Sequence, residues 1–293
     1  MLEVNKITKY YKRVKGIENL SFTLSKGEAL GIIGINGSGK TTTFRILLRL
    51  LKADSGTILF NKKNLKDSAI NLFGYLPEER SLFKDLSVFN QVMFLGRLKK
   101  MKDEEIEENL NYYLNKLEIA KYKYTNIYKL SKGNQQKVQI ICALIHDPKV
   151  VILDEPLSGL DIINVELLKR LIKDLKRKGK YVLLSSHQFK HIEEFCENVI
   201  ILKSGNVMYS GSIESLVDQS DFRYLLVDKE VGLKYIDKEY IKQSKSINKL
   251  IEFKIEKADA KKLFEEIVLK ESYDSISLKK ANVEAVVREK SLI

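Results

Sequence analysis

Residues 34–42 read GINGSGKTT, and no other stretch constrains the chain as tightly. It has the form G-x-x-x-x-G-K-[ST], with Gly34, Gly39, Lys40 and Thr41 at the fixed places. Glycines let a backbone curl until several N–H groups face one anion. The apolar run EALGII precedes the loop, and Phe44, Leu47, Leu48 and Leu51 follow at helical spacing. The loop therefore lies between a buried strand ending at Gly31–Ile33 and a helix over Thr41–Leu51. The helix N-terminus adds positive potential. The pattern reads as a phosphate cradle in which Asn36, Gly37, Ser38 and Thr42 complete the loop. Lys40 reaches the β- and γ-phosphates, and the Thr41 hydroxyl holds Mg²⁺. A dinucleotide fingerprint, G-x-G-x-x-G, does not fit these glycines.

About 110 residues later the chain reads VVILDEP, a wholly apolar strand, Val150–Leu153, ending in two carboxylates. In P-loop folds an acid at such a strand end lies beside the phosphate loop. Asp154 is thereby expected to bind Mg²⁺ through water, and Glu155 to orient or deprotonate the attacking water. Leu167, Leu168, Leu171, Ile172 and Leu175 mark an amphipathic helix, and Tyr181–Ser185 another buried strand. This alternation predicts an α/β fold of the P-loop NTPase type, with a mainly parallel sheet between helices.

Composition divides the chain near residue 212. Before it lie fourteen of the fifteen glycines and all of the prolines, histidines and cysteines. Special backbone positions and reactive side chains thus belong to the first part. The tail shows strand patterns at Phe222–Val227, Leu250–Ile255 and Ser275–Leu278, with a helix at Ala258–Leu269, and predicts a small α+β domain. The expected boundaries are 1–215 and 216–293. A helical subdomain at about 86–135 includes the charged helix Asp103–Ile119.

Hydrophobic residues make up 44% of the chain, enough for a sizeable core, and charged residues 31%. Uncharged stretches such as Val138–Ile145 fall short of the ~18 apolar residues of a membrane span. The N-terminus lacks a signal-peptide core. A cytosolic chain is expected, and Cys142 and Cys196, far apart and without metal-type partners, fit that compartment. The formal charge of +12 comes from 42 lysines and only 9 arginines, spread along the chain. That pattern reads as a solvated surface rather than a nucleic-acid site.

Four more segments narrow the reading: GYLPEER (74–80), LSKGNQQK (130–137), SGLD (158–161) and LLSSH (183–187). In this order they closely resemble the nucleotide-binding domain of ABC transporters, over roughly residues 1–212. The resemblance implies an ATP-hydrolysing subunit with an antiparallel β subdomain and an inserted helical subdomain. Two such subunits, identical or closely paralogous, would bind ATP and Mg²⁺ between them. They would sit peripherally on the cytoplasmic face of the membrane and drive a separate transmembrane permease. It further implies that Ser131 and Gly133 contact the γ-phosphate held by the other subunit. Asp161 would lie at the subunit interface, and His187 would contact the γ-phosphate and the water. Tyr11 would stack on adenine, with Tyr10 as its substitute.

The signature departs from the commonest form at Lys132 and Asn134, and Glu78 stands where the family has glutamine. A glutamate there can still coordinate Mg²⁺. The forms GYLPEER and LSKGNQQK, with the extra tail, resemble the subgroup related to bacterial sodium-efflux pumps, which points to export. The alternative is a soluble ABC-type ATPase with a regulatory or immunity role. One phosphate loop and a short 86–130 segment argue against the two-domain translation type and the coiled-coil repair type.

Overall fold

The computed structural model describes residues 1–65 and 71–293, in two units: Met1–Ser210 with Leu292–Ile293, and Gly211–Ser291. In the first unit, strands β1 (Leu2–Tyr11), β2 (Val14–Leu24), β4 (Ser55–Phe60) and β5 (Lys63–Asn64) form an antiparallel sheet in the order β2-β1-β4-β5. Leu2, Val4 and Ile7 all point inward despite their odd spacing. A bulge between Val4 and Ile7, with Lys6 at φ 48°, resets the alternation.

The second sheet carries the chemistry. It comprises β3 (Ala29–Ile33), β6 (Phe73–Leu76), β7 (Val150–Leu153), β8 (Tyr181–Ser185), β9 (Asn198–Lys203) and β10 (Asn206–Ser212), in the order β10-β9-β3-β8-β7-β6. The pairs β9–β3, β3–β8, β8–β7 and β7–β6 are parallel. Every residue of β3, β7 and β8 is buried, as continuous apolar runs require in a sheet covered on both faces. Leu30, Ile32, Val150, Ile152, Leu183 and Ile200 share one core with the antiparallel sheet and with Phe44 and Leu47 of α1 (Lys40–Leu47). On the other face pack α5 (Ile162–Arg177) and α6 (Phe189–Phe195). A Cβ on Gly31 would come within 2.5 Å of Ile192, so glycine admits α6 to the sheet.

Helices α2 (Val88–Leu98), α3 (Asp103–Lys116) and α4 (Lys132–Leu144) pack on one another as a helical subdomain. Ser87, Ser131 and Asp161 cap α2, α4 and α5 through side-chain oxygens. Two helices stop earlier than their apolar spacing predicts. α1 ends at Leu47 because Arg49 turns to φ 60°, and α3 ends at Lys116 before Glu118 at φ 58°. Leu48 and Leu51 beyond the first stop, and Leu117 and Ile119 beyond the second, still face the core, which is why periodicity alone overruns.

The second unit contains α7 (Ile213–Asp218), β11 (Phe222–Asp228), α8 (Lys229–Leu233), β12 (Ile241–Ile247), β13 (Leu250–Glu256), α9 (Lys257–Lys270), β14 (Ile276–Lys280) and α10 (Val283–Glu289). The antiparallel order β12-β13-β11-β14 makes its β11–β14 segment a split βαβ arrangement. Leu225, Val227, Ile251, Phe253 and Ile255 alternate onto one face and bury Ala260, Leu263 and Ile267 of α9. The strands β11, β13 and β14 and the helix α9 were expected. β12, read IKQSKSI, has too little alternation to announce itself and is an edge strand.

Candidate functional site

Four parallel strands deliver the site. β3 leads into the phosphate loop, β6 into Glu78, β7 into Asp154 and Glu155, and β8 into His187. The register puts Ile32 beside Ser185 and Leu184 beside Leu153, so these strand ends share one edge of the sheet. Ligand sites of open α/β sheets lie at that edge.

The phosphate loop takes backbone shapes that suit glycine. Gly37 and Gly39 adopt φ 78° and 113°, and a Cβ on Gly39 would stand 2.6 Å from the Gly16 carbonyl. Gly34 is packed so closely that its Cβ would stand 2.2 Å from Ser38 Oγ. No side chain caps the N-terminus of α1, which leaves its first N–H groups for an anion. The Lys40 ammonium donates to the Gly34 carbonyl at 2.6 Å and the Ile35 carbonyl at 3.2 Å, which hold it over the loop.

Asp154 and Glu155 are both buried but face different partners. Asp154 continues the ladder, donating its N–H to the Leu76 carbonyl at 2.9 Å. Glu155 breaks it, turning to φ 49°, a left-handed conformation uncommon for a residue with a side chain. The turn brings Glu155 Oε2 to 2.8 Å from His187 Nδ1. Ser185 Oγ accepts the Glu155 N–H at 2.9 Å and donates to Asp154 Oδ1 at 2.5 Å. Burial raises the pKa of Asp154, and the Glu78 carboxylate adds to the rise, while Ser185 and Lys40 oppose it. Burial also raises Glu155, against the pull of His187. Tyr75, on the neighbouring strand, is pushed up to about 12 by burial and by Asp154. Perturbed carboxylates at the edge of a cleft are the usual mark of a working site.

The phosphate loop, Glu78 and Glu155 border a cleft of about 1010 Å³. Asn36, Gly37, Ser38, Gly39, Lys40, Thr41, Thr42, Tyr11, Glu78 and Glu155 line it. Tyr11 is 42% exposed, and its hydroxyl stands 3.4 Å from Thr42 Oγ1. The Tyr10 hydroxyl is instead committed to Glu18, so Tyr11 is the aromatic offered to the cleft. Gly34, Asp154 and His187 are not in the lining: Gly34 packs against Ser38, Ser185 links Asp154 to the Glu155 N–H, and His187 contacts Glu155. Ser131, Gly133 and Asp161 are not in the lining, and Gly133 and Asp161 meet at Asn164. Asn164 donates to Asp161 through its N–H and its side-chain amide, at 2.9 and 2.8 Å. A Cβ on Gly133 would come 2.8 Å from the Asn164 amide nitrogen.

Sequence reasoning missed several contributors. Lys15, Arg80, Lys132, Gln136, Ser158 and Gly159 also line the cleft. Gln139, buried on α4, donates to the Pro77 and Glu79 carbonyls at 3.3 and 2.9 Å and so brackets Glu78. Neither Gln139 nor Ser185 belongs to a spacing rule; only the register of packed strands and helices brings them in.

The donor set suits Mg²⁺. Thr41, Glu78 and Asp154 are hard oxygen donors, and the mutual repulsion of Glu78 and Asp154 is what a divalent cation would relieve. Among the described residues no group of three His, Cys, Asp or Glu side chains forms a protein-only cage. Mg²⁺ bound with phosphates needs only one or two carboxylates.

Comparison with known proteins agrees with this geometry. The ABC transporter family model matches residues 17–158. The chain is 45% identical to the uncharacterized ABC transporter ATP-binding protein MJ1023 of Methanocaldococcus jannaschii, across 78% of this chain and 86% of that protein. It is 34% identical to the ABC transporter ATP-binding protein NatA of Bacillus subtilis, across 75% and 92%. A dimeric post-hydrolysis structure of the ATP-binding cassette MJ0796 with ADP and Pi superposes with a TM-score of 0.66 at 26% identity, covering 72% of this chain and 98% of the cassette.

Proposed function

The chain belongs to the ABC transporter ATP-binding proteins and is an ATPase, and we propose that two copies bind ATP between them to drive a separate membrane permease. The observation that carries the hydrolytic assignment is the Glu155–His187 contact at 2.8 Å beside the phosphate loop. In this reading Lys40 and the loop amides hold the phosphates, and Tyr11 stacks on the base. Glu155 accepts the proton of the attacking water, and its raised pKa strengthens it as a base. His187 keeps Glu155 oriented and touches the γ-phosphate. Mg²⁺, held by Thr41, Asp154 and Glu78, would neutralise phosphate charge.

Ser131, Gly133 and Asp161 complete the partner copy's site. The meeting of Gly133 and Asp161 at Asn164, outside the lining of their own cleft, supports that role, as does the dimeric cassette with ADP and Pi. Ile162 and Ile163 follow Asp161 and are 83% and 75% exposed, as residues awaiting a protein surface would be. The permease is proposed to dock beside Glu78 and Leu86–Leu98. A mostly apolar cleft of about 270 Å³ there is lined by Leu48, Tyr75, Pro77, Ser81, Leu95 and Gln139. Among the described residues no helix is long and apolar enough to cross a membrane. A peripheral position on the cytoplasmic face is proposed on the family resemblance, and export on the subgroup resemblance.

Gel filtration of Glu155→Gln with saturating ATP tests the dimer, because this change spares binding while removing the base. A dimer that dissolves without ATP is expected; a monomer at every ATP concentration refutes the shared site. Cysteine crosslinking from Ser81 or Ser87 to the permease tests the docking face.

A further inference from the structure

One buried hydroxyl ties the Asp154 carboxylate to the backbone N–H of Glu155. Ser185 closes β8 and is fully buried. Its Oγ accepts the Glu155 N–H at 2.9 Å and contacts Asp154 Oδ1 at 2.5 Å. An amide N–H can only donate, and a serine hydroxyl carries one proton. The Ser185 proton therefore points at Asp154, and the hydroxyl's single proton is committed there.

The sheet explains why a side chain is needed. Parallel pairing sets Leu153 beside Leu184, so Ser185 is the next residue beside the turning chain. Glu155 leaves the ladder at φ 49°, and its buried N–H loses the carbonyl that a continued strand would offer. Ser185 supplies the replacement acceptor from its side chain. The same atom fixes one oxygen of Asp154. Alanine would release one oxygen of Asp154 and leave the buried Glu155 N–H without its acceptor; threonine keeps the hydroxyl on a strand-compatible side chain.

We propose that Ser185 is a positioning residue for ATP hydrolysis, holding the Glu155 turn and the Asp154 carboxylate in one fixed relative orientation. The proposal rests on the roles given above to Asp154 and Glu155. A buried serine that only stabilises the sheet would affect melting and nothing else. A positioning serine affects turnover and the response to Mg²⁺, because hydrogen-bond partners of ligating carboxylates typically contribute about 10- to 100-fold in metal affinity or activity.

The test compares full-length Ser185→Ala, Ser185→Thr and Glu155→Gln with the native chain. The measurements are kcat, KM, melting temperature, and binding of a fluorescent ATP analogue as Mg²⁺ is titrated and in its absence. Ser185→Ala should lower kcat by about 10- to 100-fold and shift the Mg²⁺ midpoint for nucleotide binding upward. Mg²⁺-free nucleotide binding should stay within about twofold, since Lys40 and the loop do not touch Ser185. Ser185→Thr should restore most of kcat. Native kcat and native Mg²⁺ midpoint in Ser185→Ala overturn the proposal, whatever happens to melting. If Ser185→Thr does not fold, Ser185→Cys, a weaker hydroxyl mimic, should give an intermediate kcat; a value equal to alanine's counts against the proposal. Glu155→Gln separates the two levels. An inactive Glu155→Gln with a native-like Ser185→Ala removes only the role of Ser185, whereas an active Glu155→Gln removes the site assignment beneath it.

Discussion

The two units solve the folding problem under different terms. In the first, the buried polar or charged side chains include Ser38, Lys40, Gln136, Gln139, Asp154, Glu155 and Ser185; in the second, among the described residues, Ser220 is the one such side chain. Each buried polar group is costly unless it is hydrogen-bonded. The first unit therefore carries a network of specific bonds, and it tolerates a left-handed Glu155. The second carries alternating strands packed against α8 and α9, with left-handed residues only at Asn248 and Ser291. A chain accepts buried charge and backbone strain where chemistry requires them and keeps to simple alternation elsewhere.

The sharpest way to break this contrast is to change single groups in the first unit. Glu155→Gln should lower kcat on the order of 10²–10⁴ while nucleotide binding persists. Lys40→Ala should instead lose nucleotide affinity. Steady-state rates beside equilibrium nucleotide binding would show the split, and unchanged kcat and affinity in both variants would remove the assignment. In the second unit the expected effect is on folding. Phe253 is fully buried in its core, and Phe253→Ala should destabilise that unit by about 3–5 kcal/mol. Calorimetry should show the tail melting earlier with the ATP affinity of the first unit intact. The same variant sharpens the question of what the tail is for. If the tail steadies the dimer, ATPase rate plotted against protein concentration shifts its midpoint upward by mass action. Superimposable curves would reduce the tail to support.

A smaller effect concerns acid. All three histidines lie in the first unit, and burial holds His146 below the ordinary value near 6.5. Below that value the unfolded chain takes up a proton that the folded ring refuses, so stability falls as pH drops from about 6.5 towards the lower folded pKa. His146→Gln should flatten that slope by less than about 1 kcal/mol between pH 7 and 5.5. Urea unfolding of both chains at the two pH values measures it, and parallel slopes would deny His146 the effect.

Much of this was legible in the sequence because it is local or ordered along the chain. GINGSGKTT between an apolar strand and a helix dictates a phosphate loop. VVILDEP and YVLLS state buried parallel strands, and the order of LSKGNQQK, SGLD and LLSSH carries the family. The alternation of LLVD and LIEFKI likewise announces the tail's sheet. What lies in three dimensions was not legible. That Glu18 claims the Tyr10 hydroxyl, while Tyr11 lines the cleft, depends on packing. The left-handed turn at Glu155, the Ser185 bridge and the grip of Gln139 on the Glu78 loop depend on register between strands and helices far apart in the chain. A side chain's spacing tells which face it occupies, but its hydrogen-bond partner is chosen only when another segment packs against it.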